Sequence, residues 1–287
     1  MPEPNVKYQF EVDLNNQNNG HSLLHALVVA GGNPTMDILE VGCSSGYVGA
    51  TFIAKGHRVT GVELDPDAAN AARAVLDEVH CGDVDAFFDA NPLRRFDAIL
   101  LGDVLEHLAD PLATLLRCVT HLATTGMVAI SLPCIAHGSI RAMLLDGRWD
   151  YANYGLLDRT HLRFFSREGM TELLSGAGLE IEQLYAVTMP IDAAAHEYGM
   201  TLRQESIAAV EALASDDDLH TFQFVLRARP PRSVITHDDL LSRNLGQPLQ
   251  RTGPQPSIPG RRSTLQSIRL RMFRTLLRGI TARRFRK

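Results

Sequence analysis

Residues 40–46 read Glu-Val-Gly-Cys-Ser-Ser-Gly, and this stretch decides the fold of the chain. It overlaps an apolar run that predicts a strand over residues 36–41, and it precedes a helical pattern that begins near Tyr47. A second strand, over residues 58–63, ends in the carboxylate of Glu63. A glycine turn at a helix N-terminus presents backbone N–H groups to a ligand, and a carboxylate after the next strand can accept hydrogen bonds from two ribose hydroxyls. The stretch therefore predicts a site for a nucleoside-containing ligand.

The glycine spacing indicates which nucleoside the turn accepts. Dinucleotide folds use three glycines in the order G-x-G-x-x-G to clear room for a pyrophosphate, whereas here Gly42 is followed two places later by Ser44. An acidic residue, Glu40, two places before Gly42 and the G-x-x-x-G spacing to Gly46 instead resemble motif I of class I S-adenosylmethionine (SAM) methyltransferases. The resemblance implies that the turn wraps the methionine end of SAM. The alternative is an ordinary glycine-rich turn in another doubly wound α/β protein.

Three further segments match that family in the expected order. Residues 59–65 form a short β-branched strand that ends in carboxylates, and Asp65 would cap the alanine-rich helix that follows. Residues 80–84 end a third strand with Asp83, for which the resemblance implies a hydrogen bond from the adenine amino group. Residues 96–103 form a buried fourth strand, whose end is implied to contact the amino group of SAM. The cofactor-binding residues implied by the resemblance are Tyr8, His21, Glu40, Gly42, Cys43, Ser44, Gly46, Tyr47, Glu63, Leu64, Asp83, Val84, Gly102, Asp103 and His107.

Strands that alternate with helical stretches predict an α/β fold. The resemblance implies a Rossmann-like, seven-stranded sheet, mostly parallel with an antiparallel last pair and flanked by helices. The stretches 179–189 and 219–228 are the expected antiparallel pair, with one helix over about 192–214 between them. An irregular segment, 133–165, is the expected substrate lid. We expect the methyltransferase domain to cover residues 1–229.

Composition excludes several other classes of protein. With 287 residues and 45% hydrophobic content, the chain can bury one full α/β core. No apolar run is long enough to span a bilayer, and the polar, Asn-rich N-terminal stretch does not resemble a secretion signal. The four cysteines show neither a C-x-x-C pair nor a zinc-like spacing. The sequence therefore predicts a cytoplasmic protein without a bound metal.

The lid contains the most specific segment, residues 155–165, which read Gly-Leu-Leu-Asp-Arg-Thr-His-Leu-Arg-Phe-Phe. This run resembles a bacterial subfamily related to the ubiquinone-biosynthesis O-methyltransferases and often encoded with polysaccharide-assembly genes. The resemblance extends over residues 7–185 and departs at Cys134, where relatives usually carry Asn. It implies that the methyl acceptor is a hydroxyl of a glycan or glycolipid. The alternative is a quinone, a phenol or another small molecule, methylated on oxygen or nitrogen.

Methylation of a hydroxyl requires a proton acceptor, and His161 is the predicted base because the usual pKa of histidine is about 6.5. Asp158 would orient the His161 ring. The alternative is that His161 and Arg163 make structural hydrogen bonds that hold the lid. His107 is a second candidate base or part of the cofactor wall, and His21 either covers the cofactor carboxylate or begins a helix. The predicted substrate-binding residues are Trp149, Tyr151, Tyr154 and Arg163. The three aromatic ones would stack on a sugar or cover the adenosine.

Charge is divided unevenly along the chain. Residues 227–287 hold fifteen basic and two acidic side chains, although the whole chain has a net charge of −5. Residues 230–260 are rich in Pro and Gly and predict a flexible linker, and residues 261–287 predict a basic amphipathic helix. Such a helix indicates contact with an anionic membrane surface, and docking onto an acidic protein surface is the alternative. The resemblance to enzymes of glycan assembly implies that this surface is the inner face of the cytoplasmic membrane.

The rival function of another class is an RNA methyltransferase that uses this basic segment. The core lacks the Asn-Pro-Pro-Tyr type of motif common in enzymes that methylate base amino groups, and the basic residues lie outside the predicted pocket. Nucleic acid is therefore not the expected partner. The sequence leaves the oligomeric state open.

Overall fold

The computed structural model describes residues 11–30, 32, 35–213 and 218–231 of the chain. Tyr8 of the predicted cofactor site, the linker beyond residue 231 and the basic segment 261–287 lie outside it. The predicted domain boundaries in that region therefore stay predictions.

The described residues form a seven-stranded sheet flanked by helices. The strands are β1 (Asp37–Val41), β2 (Arg58–Glu63), β3 (Glu78–Cys81), β4 (Phe96–Gly102), β5 (Leu122–Pro133), β6 (Glu180–Thr188) and β7 (Thr221–Arg229). The helices are α1 (Gly20–Val29), α2 (Gly49–Ile53), α3 (Pro66–Ala72), α4 (Val84–Ala90), α5 (Pro111–Thr120), α6 (Gly138–Leu145), α7 (Arg167–Gly176), α8 (Ile191–Glu197) and α9 (Gln204–Leu213). A 3-10 helix, Leu105–His107, follows β4. None of the helices in the described ranges has the length and apolar character needed to cross a membrane.

The strands lie in the order β3-β2-β1-β4-β5-β7-β6. Neighbours from β3 to β5 pair in parallel, and β7 pairs antiparallel with both β5 and β6. The chain builds β2 and β3 on one side of β1 and then crosses to β4 on the other side. The carboxyl ends of β1 and β4 therefore flank a topological switch point, where open α/β sheets bind their ligands. This topology confirms the predicted Rossmann-like sheet with its antiparallel last pair.

Apolar side chains cover both faces of the central strands, as a parallel sheet buried on both sides requires. On one face, Leu39 and Ile99 belong to a buried cluster that includes side chains of α4, α5 and α7. On the other face, Ile38 and Leu100 belong to a cluster with side chains of α1 and α2. The two clusters hold the strands from both sides, so the loops at their carboxyl ends project from a fixed platform.

Two helix starts follow the sequence signals closely. The Asp65 side chain accepts hydrogen bonds from the N–H groups of Asp67 and Ala68, both at 2.9 Å, and thereby caps α3. The Ser166 hydroxyl accepts one from the N–H of Gly169 at 3.2 Å and caps α7. These bonds satisfy backbone donors that have no partner inside the helix. The cap that the sequence predicts at Asp65 is confirmed.

Two other segments differ from the prediction. The lid 133–165 is not irregular throughout, because it contains α6, which begins after His137. The His137 ring accepts a hydrogen bond from the N–H of Ser139 at 3.2 Å, a cap by a residue type that does not usually signal a helix start. The single helix predicted over 192–214 is two helices, since the chain turns at Gly199 with a φ of 63°.

Candidate active site

The turn between β1 and α2 has the tight conformation that the glycine spacing predicts. Gly42, Ser44 and Gly46 have positive φ angles of 67°, 48° and 79°. The Cys43 side chain packs over Gly61, where an added Cβ would lie 2.5 Å from the Cys43 sulfur. The turn is thereby packed against β2, and Ser44 has a left-handed conformation that non-glycine residues rarely adopt outside functional sites.

Both oxygens of the Glu63 carboxylate accept hydrogen bonds from the backbone. The N–H of Ser44 donates to Oε2 at 2.8 Å, and the N–H of Asp65 donates to Oε1 at 2.8 Å. One bond comes from the glycine turn and the other from the start of α3, so the half-buried carboxylate is fixed at the end of β2. Each oxygen keeps a second lone pair, and the group therefore fits the predicted bonds from two ribose hydroxyls.

Glu40 is the buried acid of the site. A backbone bond from Gly49 reaches its carboxyl group, whereas Oε2 has no hydrogen-bond partner among the described residues. Burial raises the pKa of Glu40 to about 8, and the charge of Glu63 adds to this effect. A buried carboxyl group with one unsatisfied oxygen fits a cationic ligand, and the methionine end of SAM carries both an ammonium and a sulfonium group.

A small pocket opens between the carboxyl ends of β1 and β4. It is lined by His21, Leu24, Glu40, Val41, Gly42, Cys43, Tyr47, Val48, Leu100 and Gly102. His21 lies in the first turn of α1, and its Nε2 is 3.3 Å from the Tyr47 hydroxyl. Burial lowers the pKa of His21, although the charge of Asp103 opposes the shift. His21 thus begins a helix and also lines the pocket, and its contact with a cofactor carboxylate stays a prediction.

Three predicted cofactor-binding residues that follow β2 and β3 differ in exposure. Asp83 is exposed after β3, and its Oδ1 accepts a hydrogen bond from the N–H of Asp85 at 2.7 Å, so that it caps α4. Leu64 is 71% exposed and is open to a ligand. Val84, the first residue of α4, is buried in the core cluster that includes Leu39 and Ile99. The predicted contact of Val84 with the cofactor stays a prediction.

Asp103, directly after β4, is held by two residues that the sequence does not single out. Its N–H donates to the Ser131 hydroxyl oxygen at 3.1 Å, and that hydroxyl donates to Asp103 Oδ1 at 3.1 Å. The Gln223 amide nitrogen donates to both carboxylate oxygens, at 2.6 and 2.8 Å. Asp103 also has a left-handed φ of 54°. Ser131 and Gln223 are 28 and 120 residues further along the chain, so only the folded sheet brings them together.

A second polar cluster joins the 3-10 helix to the lid. Glu106, His107 and His161 each have a carboxylate oxygen or a ring nitrogen that could bind a metal ion, and these three atoms lie within 4.8 Å of one another. Glu106 is 1% exposed, and neither of its side-chain oxygens has a hydrogen-bond partner in the described part of the chain. Burial raises the pKa of Glu106 well above its usual range, and the charge of Asp103 adds to the rise. One carboxyl group and two imidazoles can exchange a proton or hold a divalent cation, a possibility that the sequence prediction of no metal did not consider.

The two histidines of this cluster each keep one ring nitrogen available. Nδ1 of His107 lies 3.2 Å from the carbonyl oxygen of Thr160, and Nδ1 of His161 lies 3.2 Å from that of Leu156. A carbonyl oxygen only accepts, so each Nδ1 carries the proton and each Nε2 keeps its lone pair in the neutral ring. Burial lowers the pKa of His161, and the neighbouring His107 adds to the effect. A neutral His161 is therefore favoured near neutral pH.

Asp158 shapes the turn that carries His161. Its Oδ1 accepts hydrogen bonds from the N–H and the hydroxyl of Thr160, at 2.9 and 2.7 Å. Its carbonyl oxygen accepts a bond from the N–H of His161 at 3.0 Å. The ring nitrogen Nδ1 of His161 contacts the carbonyl oxygen of Leu156. The hydrogen bonds of Asp158 given above therefore orient His161 through the backbone of the turn.

The predicted substrate-binding aromatic residues are exposed on the lid. Trp149, Tyr151 and Tyr154 are 36%, 45% and 52% exposed. The ring of Trp149 meets that of Phe164 edge-on, with centroids 5.3 Å apart, and Phe164 meets His161 at 6.2 Å. An aromatic row therefore leads from the surface of the lid to the polar cluster.

Arg163 fastens the lid to the 3-10 helix. Its guanidinium donates to the carbonyl oxygen of Leu162 at 3.1 Å and to that of Ala109. The N–H groups of Leu162 and Arg163 donate to the carbonyl oxygen of Glu106, at 2.8 and 3.0 Å. These contacts match the alternative interpretation, in which Arg163 holds the lid, and a contact between Arg163 and substrate stays a prediction.

Comparison with known proteins identifies the family. The methyltransferase domain family matches residues 16–184, more than half of the chain. The ubiquinone biosynthesis O-methyltransferase of Nitrobacter winogradskyi is 37% identical over 102 residues, which cover 33% of this chain and 37% of that protein. The enzyme of the same name from Bradyrhizobium sp. (strain ORS 278) is 32% identical over 102 residues, which cover 33% of this chain and 38% of that protein. The matched region thus spans little more than a third of these curated relatives.

Two solved structures show the same fold. Magnesium protoporphyrin IX methyltransferase from Synechocystis PCC 6803, with bound S-adenosylhomocysteine, has a TM-score of 0.52 and 12% identity over 78% of this chain and 90% of that one. A SAM-dependent methyltransferase from Archaeoglobus fulgidus has a TM-score of 0.50 and 17% identity over 73% and 94%. At such identities the likeness concerns the fold alone. Three observations lead to the same conclusion: the order of the strands, the carboxylates at the ends of β1 and β2, and the family match over residues 16–184. This chain belongs to the methyltransferase domain family and is a class I SAM-dependent methyltransferase.

Proposed function

We propose that the protein transfers the methyl group of SAM to a hydroxyl oxygen of a small-molecule acceptor, with S-adenosylhomocysteine as the second product. The polar cluster of Glu106, His107 and His161 carries this proposal. It lies between the lid and the end of β4, where the charge of Asp103 influences both Glu106 and His161. A hydroxyl acceptor must be aligned with the methyl group and must lose a proton, and the cluster supplies a group that can take it.

His161 is the proposed proton acceptor. Bound SAM supplies an electrophilic methyl group. The bond from Nδ1 to the Leu156 carbonyl fixes the ring, so Nε2 is the atom that receives the hydroxyl proton while the acceptor oxygen attacks. Burial keeps the pKa of His161 below its usual value, which favours the neutral ring that this step requires.

A phenolic hydroxyl is the acceptor that we favour. The row from Trp149 through Phe164 to His161 offers aromatic faces and edges to a planar acceptor. The curated relatives are named for O-methylation in ubiquinone biosynthesis, which supports the same class of acceptor. The glycan or glycolipid acceptor implied by the sequence is the second candidate, since the exposed Trp149 and Tyr151 rings also suit stacking on a sugar face.

A divalent cation is the alternative to proton transfer by His161 alone. The unpartnered oxygens of the buried Glu106 favour this alternative, and both histidines donate Nδ1–H to a carbonyl oxygen, as metal-binding histidines commonly do. Glu106, His107 and His161 would hold the ion. It would bind the acceptor oxygen and lower the pKa of its hydroxyl group.

The basic segment 261–287 is proposed to attach the enzyme to an anionic membrane surface at the inner face of the cytoplasmic membrane. Its ten basic side chains and its apolar stripe, both read from the sequence, support this role. Such attachment would suit an acceptor with a lipid tail, whether phenolic or glycosidic.

The test is methyl transfer from tritium-labelled SAM by the purified full-length protein. Three acceptor sets are compared: catechols and hydroxybenzoates, lipid-linked glycans extracted from bacterial membranes, and RNA. Each reaction runs with and without EDTA, and EDTA-treated samples are then supplied with Mg²⁺ or Zn²⁺. The Glu63→Ala variant serves as the control for label that does not depend on the cofactor site.

Label on the phenols that disappears in the His161→Gln variant is the expected result. Label on the glycans alone would instead establish the second candidate. Loss of transfer in EDTA, restored by one metal, would favour the cation over a free base. A protein that binds SAM but labels only RNA would contradict the proposal.

A further inference from the structure

We infer that Gln223 is a positioning residue, which holds the Asp103 carboxylate in place to accept the ammonium group of SAM. Gln223 lies on β7, in the antiparallel pair at the end of the sheet, where it pairs with Pro133 of β5. Its amide nitrogen nevertheless reaches both oxygens of Asp103, at 2.6 and 2.8 Å. The cofactor site therefore includes a side chain from outside the β1–β4 half of the sheet.

The backbone of Asp103 requires such support. Its φ of 54° is in the left-handed region, which residues other than glycine adopt only where the surrounding structure holds them. Ser131 fixes the backbone N–H and one carboxylate oxygen, and Gln223 fixes both carboxylate oxygens. Together the two residues determine the direction in which the carboxylate points.

Gln223 also contacts the helix that carries His21. A Cβ added to Gly20, the first residue of α1, would lie 2.2 Å from the Gln223 Oε1. The absence of a side chain at Gly20 is therefore what lets the amide fit between β7 and α1. This one amide therefore bonds to the carboxylate after β4 and lies close against the start of α1.

The hydrogen bonds to Asp103 leave its charge uncompensated. The donors are a hydroxyl and an amide, both neutral, and Asp103 takes part in none of the ion pairs found among residues 11–30, 35–213 and 218–231. His21 is close, but burial lowers its pKa and favours the neutral ring. A fixed carboxylate that forms no ion pair with the described residues, beside the pocket proposed for the methionine end of SAM, suits an ammonium group.

The test compares two ligands that differ in that group. S-adenosylhomocysteine carries the amino acid portion, whereas 5′-methylthioadenosine carries the adenosine and sulfur without it. In the full-length protein, Gln223→Leu is expected to weaken binding of S-adenosylhomocysteine roughly tenfold, about 1.4 kcal/mol, and to leave binding of 5′-methylthioadenosine within about twofold. Gln183→Leu, on the neighbouring strand β6, is the matched control and should change neither affinity.

Two further variants keep the inference testable if Gln223→Leu does not fold. Gln223→Glu preserves the shape of the side chain but places a second carboxylate against Asp103, and it should show the same selective loss. Asp103→Asn should by itself weaken binding of S-adenosylhomocysteine. Adding Gln223→Leu to this variant should weaken binding little further, because the two residues act through one carboxylate. Unchanged binding of S-adenosylhomocysteine, or equal weakening of both ligands, would overturn the inference. Because the readout is ligand binding, the result does not depend on which acceptor the enzyme uses.

Discussion

The raised pKa of Glu40 leads to a quantitative prediction of how the stability of the protein changes with pH. Burial raises this pKa from 4.5 to about 8 in the folded protein, so the folded state binds a proton that the unfolded chain releases above pH 4.5. The stability that this proton contributes is complete below pH 4.5 and is lost as the pH rises towards 8. Glu40→Gln replaces the carboxyl group with a neutral side chain of the same shape and removes this dependence.

The expected magnitude follows from the two pKa values. Each pH unit inside this window changes the free energy of unfolding by about 1.4 kcal/mol, so the wild type should lose about 2.5 kcal/mol relative to Glu40→Gln between pH 5 and pH 7. Urea unfolding of both proteins without cofactor, followed by circular dichroism at pH 5, 6 and 7, measures the difference. Contributions from all other groups cancel because they are common to both proteins.

Glu78→Gln is the matched control for this measurement. A side-chain hydrogen bond from Arg94 lowers the pKa of Glu78, so this carboxylate titrates below the range studied and its replacement should give a difference that is flat from pH 5 to pH 7. If the difference between wild type and Glu40→Gln is equally flat, Glu40 is ionised in the folded protein. Its unpartnered oxygen would then have a partner, such as water, that satisfies a charge.

Three further outcomes are expected. Glu63→Ala should weaken SAM binding at least roughly tenfold by calorimetry, whereas Asp65→Ala should cost about 1 kcal/mol of stability through the lost cap and leave the affinity nearly unchanged; equal affinities in wild type and Glu63→Ala would remove Glu63 from the site. His161→Gln should lower turnover by about 10²–10⁴ while SAM affinity is retained, and a nearly active variant would make His161 structural. Deleting residues 261–287 should preserve SAM binding but abolish co-sedimentation with anionic vesicles, and equal sedimentation of both forms would refute a membrane role.

The cofactor half of the site was predictable because its signals are local in sequence. The glycine turn, the carboxylate of Glu63 and the cap by Asp65 each lie within a few residues of a strand end, where turn and cap chemistry leave a readable pattern. Their relative placement follows from the parallel sheet, whose strands all end at the same edge. The structure adds the two backbone bonds to Glu63, which no sequence pattern specifies.

The residues that the sequence did not reveal depend on tertiary contacts. In the sequence, Glu106 looks like an exposed polar position of a helix. In the structure it is buried beside the folded lid, whose N–H groups donate to its carbonyl oxygen. Ser131 reads as one small residue in a buried strand, and Gln223 as an ordinary polar position in one strand of the antiparallel pair. The role proposed for them depends on contact with Asp103, across 28 and 120 residues of chain.

The short segment from Gly102 to His107 connects the two halves of the site. At Asp103 the chain leaves β4 in a left-handed conformation, and within three residues it reaches Glu106, whose carbonyl oxygen holds the lid. The carboxylate proposed to receive the cofactor's ammonium group and the cluster proposed to deprotonate the acceptor are therefore fixed by one turn of backbone. Because methyl transfer needs its two reactants aligned in line, a single rigid turn that sets both positions is a direct way to maintain that alignment. The hydrogen bonds from Ser131 and Gln223 to Asp103 thus support the geometry of both halves, although neither residue belongs to the polar cluster.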